Sequence, residues 1–141
     1  MAGRASALRM SFLPPNTDLA LLLLRVWVGA SMLILHGMGK VSNLLSDTPQ
    51  FMSVLGLPPT PSLALAVLGE AVAPIFVIIG LGSRWAASAS AITMATAFAV
   101  GHSFALSGDR SGELPFIYLA GFLAIVIAGP GKYSVDEGTG K

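Results

Sequence analysis

Glu70 lies near the middle of an otherwise unbroken apolar run, 61–81. Such a run is about as long as the roughly 20 helical residues that cross a bilayer core. A carboxylate at that depth is costly unless it is paired, protonated or wetted, so it marks a candidate site. Arg25 sits inside a second apolar run and is a candidate partner. Counting helical rise, Arg25 lies about 10 Å from one end of its run and Glu70 about 16 Å from the same side. A long arginine side chain could span the difference, so the pair could neutralise each other or relay a proton. Pro74 follows Glu70 by four residues. A helical proline cannot bond back to the carbonyl at i−4 and crowds it, which predicts a kink and a free acceptor at Glu70.

A second polar layer emerges from the same counting. His36 stands 18 residues beyond Asp18, and His102 stands 18 residues beyond Arg84. Both imidazoles then lie about 27 Å from one end of their helices. Lys40 is one turn past His36 on the same face, and Glu113 opens the last apolar run at that end. Arg25 and His36 are 11 residues apart, close to three turns, so the two layers share one face of the first helix. Such a cluster could hold the polar head of a small molecule, because histidine titrates near neutral pH and donates or accepts protons. His36 and His102 at one depth could instead ligate a haem iron or another metal. The plainest reading is that these groups glue helices together and that His102 reaches toward the interface.

The elements that must position these residues follow from composition. The 141-residue chain is 54% hydrophobic and 11% charged, against roughly 25% charged in soluble domains. That leaves too little polar surface for a water-soluble body. Lysine and arginine form no cluster, which removes the electrostatic footprint of nucleic-acid binding. With no cysteine, disulfides, thiol redox chemistry and thiolate metal sites are excluded. HExxH, GxSxG and Walker motifs are absent. The run 19–35 is too long for the apolar region of a signal peptide and ends in His36-Gly37-Met38-Gly39-Lys40, so it reads as a retained span.

Four apolar segments, about 18–38, 61–81, 84–106 and 113–128, predict an all-α integral membrane four-helix bundle. In lipid, a continuous apolar run resolves to a helix because the backbone must bond to itself. Residues 1–17 and 131–141 are then tails flanking a domain over 18–130. Arg4, Arg9, Arg84, Lys132 and Lys141 fall on one side, and Lys40 and Arg110 on the other. Five against two places both termini in the cytoplasm. The first connection carries Phe51, Met52, Val54, Leu55 and Leu57, and is expected to lie in the outer interface as a short helix. Ala87, Ala91, Ala95, Ala99 and Ser103 form an i, i+4 row of small residues, expected to turn the His102 face into the bundle.

In order and spacing these pieces resemble the DoxX family of small four-helix membrane proteins. The resemblance rests on Leu24-Arg25, on His36 to Lys40, and on Phe51 followed by Gly56-Leu57-Pro58. It continues through Glu70, Gly80 to Arg84, His102, Gly112-Glu113-Leu114 and Gly129 to Asp136. Ser111 departs from the glycine expected before Gly112. The resemblance implies a bacterial-type inner-membrane protein linked to redox metabolism, associated in some members with a thiosulfate:quinone oxidoreductase and in others with oxidative-stress defence. It carries over Arg25, His36, Lys40, Glu70, His102 and Glu113.

The expected function is therefore that of a redox-associated membrane subunit, at most part of a quinone-linked oxidoreductase. It would bind a quinone or similar small molecule near the outer leaflet through those residues. Two rival expectations are a non-catalytic scaffold that recruits a soluble redox enzyme to the membrane, and a haem or metal bundle built on His36 and His102. Membrane lipid, and a second copy of the chain, are the other expected partners.

Overall fold

The computed structural model describes residues 14–139. Arg4, Arg9 and Lys141, counted above toward orientation, lie outside the described residues. Helix α1 (Thr17–Leu44) and helix α2 (Pro59–Ile79) are each long and apolar enough to cross a membrane. Helix α3 (Ser83–Thr96) continues through a wider turn over Ala97–Gly101. Helix α4 (Glu113–Ala128) is shorter and continuously apolar. A last turn, α5 (Val135–Thr139), closes the described chain.

Local chemistry sets the helix ends. The Asn16 side chain accepts the Leu19 N–H at 3.0 Å and starts α1, satisfying a donor that has no intrahelical partner. Pro59 sits in the first turn of α2, where its missing N–H costs nothing. Gly80 closes α2 in the left-handed conformation at φ 77°. Helix α1 runs six residues past Met38, so the first connection is shorter than expected. That connection carries no separate helix. It folds as a tight hairpin in which Leu57 N–H bonds Val54 C=O at 2.9 Å, with Leu55 and Gly56 both at positive φ.

Side-chain contacts fix the directions of the helices. Arg25 reaches the end of α2 while Lys40 reaches its middle, so α1 and α2 run antiparallel. His36 meets Tyr118, and Leu21 lies beside Gly131, so α1 and α4 also run antiparallel. Arg84 bonds the Ile127 carbonyl at one end of the α3–α4 pair, and Phe98 packs on Phe116 at the other. The result is an up-down-up-down bundle around Met32, Val77, Ala91, Met94, Phe122 and Ile125. Its outside is lined with large apolar side chains, among them Trp27 at 79%, Ile127 at 78% and Trp85 at 86% exposure. An apolar surface of that extent calls for an apolar surrounding.

The expected Arg25–Glu70 pair does not form. Arg25 is fully buried and donates to the carbonyls of Val77 and Ile78, each at 3.2 Å, and of Tyr133 at 2.6 Å. It binds the end of α2, where unbonded carbonyls and the negative end of the helix dipole favour a cation. Seven residues of rise, about 10 Å, then separate that end from Glu70. Asp136 completes the latch from the C-terminal side. Its carboxylate accepts the N–H groups of Gly82 and Ser83 and the Ser83 hydroxyl, capping α3.

Two glycines let the helices meet. A Cβ at Gly37 would overlap the Glu70 carbonyl, and one at Gly69 would overlap the Thr93 side chain. Gly39 faces open space. Gly69→Val should lower the melting temperature in detergent, with a loss of about 1–3 kcal/mol from overpacking. Gly39→Ala should be neutral or gain about 0.5–1 kcal/mol. Thermal unfolding followed by circular dichroism compares the two.

The Asp136 carboxyl is held below the ordinary carboxylate range. The Ser83 backbone N–H contributes most, joined by the Gly82 N–H and the Ser83 hydroxyl and opposed by partial burial. With the native pKa depressed, the stabilisation is present above the unfolded-state pKa and is lost as pH falls through the native one. Asp136→Asn should melt lower at neutral pH. It should also lose part of the wild-type decline seen as pH drops below about 4. Melting curves across pH test both.

Candidate functional site

Three helices widen at one level of the bundle. The Met38 N–H bonds the Leu33 carbonyl, Ala73 bonds Leu68, and His102 bonds Ala97, each five residues back rather than four. These π-type turns cover Leu33–Gly37, Leu68–Val72 and Ala97–Gly101. Turns of this kind insert one extra residue and gather at functional sites. His36 lies in the first, Glu70 in the second, and His102 directly follows the third.

Pro74 accounts for the turn in α2. After the Ala73-to-Leu68 bond, the next wide bond would need an N–H at Pro74, which has none. The Gly69 carbonyl instead accepts the buried Ser90 hydroxyl of α3 at 2.8 Å. The interhelical bond attributable to Pro74 therefore falls on Gly69, one residue before the expected Glu70.

Glu70 is 4% exposed and pairs with Lys40, whose Nζ lies 2.5 Å from Oε2. This pair replaces the anticipated Arg25 contact. His102 Nδ1 lies 3.1 Å from the Arg110 carbonyl. A carbonyl only accepts, so Nδ1 carries the proton in this contact, and in the neutral form of the ring Nε2 is then the acceptor. His36 packs edge-on against Tyr118 at 5.6 Å between ring centroids.

Two cavities meet at these groups. An inner cavity of about 230 Å³ is bounded by His36, Lys40, Glu70, Met94, His102 and Tyr118, among others. A larger groove of about 560 Å³ runs between α2 and α3 beneath the Val54–Leu57 hairpin. Its walls are apolar side chains such as Leu65, Leu68, Ile92 and Val100. Lys40, Glu70, Ala97 and His102 border both spaces. The larger volume lies within the roughly 300–1,000 Å³ of small-molecule sites.

Of the six residues singled out from sequence, the structure gathers His36, Lys40, Glu70 and His102. Arg25 belongs to the latch at the other end. Glu113 is exposed at the start of α4 and lines neither cavity. The alanine row is also corrected. The buried face of α3 is Ser83, Ala87, Ser90, Ala91 and Met94, while Ala95 is exposed. An i, i+4 row drifts about 40° per step, so Ala95 has left the interface. His102 returns to it after the extra residue of the wide turn. Tyr118 was missed, although it is the one hydroxyl-bearing residue in the apolar stretch 113–128.

Removing Lys40 should leave the Glu70 carboxylate without its cation. Lys40→Met should destabilise the protein by on the order of 2–3 kcal/mol. The double change Lys40→Met with Glu70→Gln should recover most of that loss, because no charge is then stranded. A double-mutant cycle by thermal unfolding in detergent measures the coupling.

The DoxX family model matches residues 20–103. The match takes in Arg25, His36, Lys40, Glu70 and His102, and stops before Glu113 and the C-terminal latch. No curated protein and no solved structure matches the chain. Family match and apolar helices together point to a membrane protein, and with more than half of its length inside the match, the chain belongs to the DoxX family.

Proposed function

We propose that the protein is a multi-pass inner-membrane subunit of bacterial type that binds a quinone or similar amphipathic small molecule and serves a separate redox enzyme. The supporting observation is the meeting of an apolar groove with a polar cavity at Lys40, Glu70 and His102. An amphipathic ligand needs that combination. Its chain would lie in the groove among Leu65, Leu68 and Ile92, all exposed on the outside of the bundle. Its head would reach the three polar groups, of which Glu70 is buried and Lys40 and His102 are half-buried. The lateral opening suits a ligand arriving from lipid rather than from water. On this reading all four long helices span the membrane, both termini are cytoplasmic, and the hairpin lies at the outer face.

In purified protein reconstituted into nanodiscs, a short-chain quinone should bind and quench the tryptophan fluorescence. Lys40→Met should weaken that binding about tenfold or more, because the quinone carbonyl loses the charge-assisted hydrogen bond that the Lys40 ammonium can donate. Ala89→Trp, which fills the groove wall away from the polar groups, should weaken it as well. Membrane insertion should be unchanged in both. Unaltered affinity in Lys40→Met would end this reading.

A further inference from the structure

We propose that the site selects the reduced, hydroxyl-bearing form of its ligand, a quinol or related phenol, over the oxidised carbonyl form. The inference rests on the quinone-binding reading above and concerns which redox state fits. It follows from counting donors and acceptors at the junction of the two cavities.

Two polar atoms there offer lone pairs. Glu70 Oε2 accepts from Lys40, and among the described residues no hydrogen bond occupies Oε1. The His102 ring commits Nδ1–H to the Arg110 carbonyl, and Nε2, the acceptor of a neutral ring, has no hydrogen-bond partner among the described residues. On the donor side stands the Lys40 ammonium, which spends one of its three protons on Glu70. At the junction itself the set is therefore mixed, with two acceptors and one cationic donor, and the Tyr118 hydroxyl and His36 ring on the inner cavity wall can each donate or accept.

A quinone carries carbonyl oxygens, which only accept. It can take a proton from Lys40, but it turns lone pairs toward Glu70 Oε1 and His102 Nε2. Lone pair against lone pair repels, and a bound quinone that displaces water leaves both acceptors stranded. A quinol carries hydroxyls that donate and accept at once. One hydroxyl can donate to the carboxylate or the imidazole and still accept from Lys40. A site built to bond a hydroxyl rejects the analogue lacking it more strongly than an apolar site rejects a missing methylene. The backbone helps hold the arrangement. Ser103 and Phe104, directly after His102, both sit at positive φ, a strained conformation for residues other than glycine. The Phe104 N–H bonds the Phe98 carbonyl at 3.0 Å and fixes that turn. His102 is thereby tied on both sides with its second nitrogen left unengaged.

The test is anaerobic titration of the reconstituted full chain with decylubiquinone and with decylubiquinol, read by tryptophan fluorescence. The wild type should bind the quinol more tightly by about tenfold, the scale of one hydrogen bond gained and one stranded acceptor relieved. In His102→Phe the preference should fall to within about twofold, with quinone affinity little changed. Glu70→Gln, whose amide can donate to a carbonyl, should shift the preference toward the quinone. Equal binding of both forms by the wild type, or a quinol preference that survives in His102→Phe and Glu70→Gln alike, would overturn the inference and leave quinone binding standing. Binding of neither form would overturn both.

Discussion

A carboxylate inside an apolar bundle persists as an ion only if a cation is held against it. Here the cation comes from Lys40, just past the wide turn of α1, and it meets Glu70 within the wide turn of α2. The close approach that makes the contact possible depends on Gly37, because any Cβ there would strike the Glu70 carbonyl. The helix pair, its ion pair and the floor of both cavities are thus one construction. The charge on Glu70 fixes the partner, the partner fixes the register of α1 on α2, and that register decides which side chains face the cavity.

The opposite end of the bundle is organised by a different cation. Arg25 gathers the final carbonyls of α2 and one carbonyl from the C-terminal segment, while Asp136 caps α3. Each helix terminus is satisfied by a charge of the sign its dipole favours. This latch ties the first, second and last parts of the chain together. Its separation from Glu70 gives the two charges distinct duties, with Arg25 holding helix ends and Lys40 and Glu70 lining a cavity.

Widened turns translate ordinary apolar helices into a site. A regular helix carries a residue out of an interface by drift, as Ala95 shows on α3. One extra residue restores the phase, and His102 faces inward again. In α2 the widening is bound to Pro74, whose missing N–H leaves the Gly69 carbonyl to Ser90. The hydrogen bonding lost within one helix is recovered between two, so the distortion also joins α2 to α3.

Much of this was legible in the chain itself. Low charge and long apolar runs determined helices, because lipid leaves the backbone no other partner. Depth counting put His36, Lys40 and His102 at one level, since helical rise is nearly constant. The pairing of charges was not legible. Depth along a helix is one-dimensional, and whether Glu70 meets Arg25 or Lys40 depends on how two helices slide past each other. Glu113 shares the expected level yet lies outside, because its azimuth on α4 comes from packing. Of the wide turns, the one in α2 was foreshadowed by Pro74 as a kink, whereas those before Met38 and His102, and the hairpin over the groove, had no signal in the apolar pattern. The sequence by itself determined which polar residues lie in apolar helices and at what height. Only the assembled bundle decided which of them face one another, because facing is set by register and rotation, and these are fixed by contacts between segments.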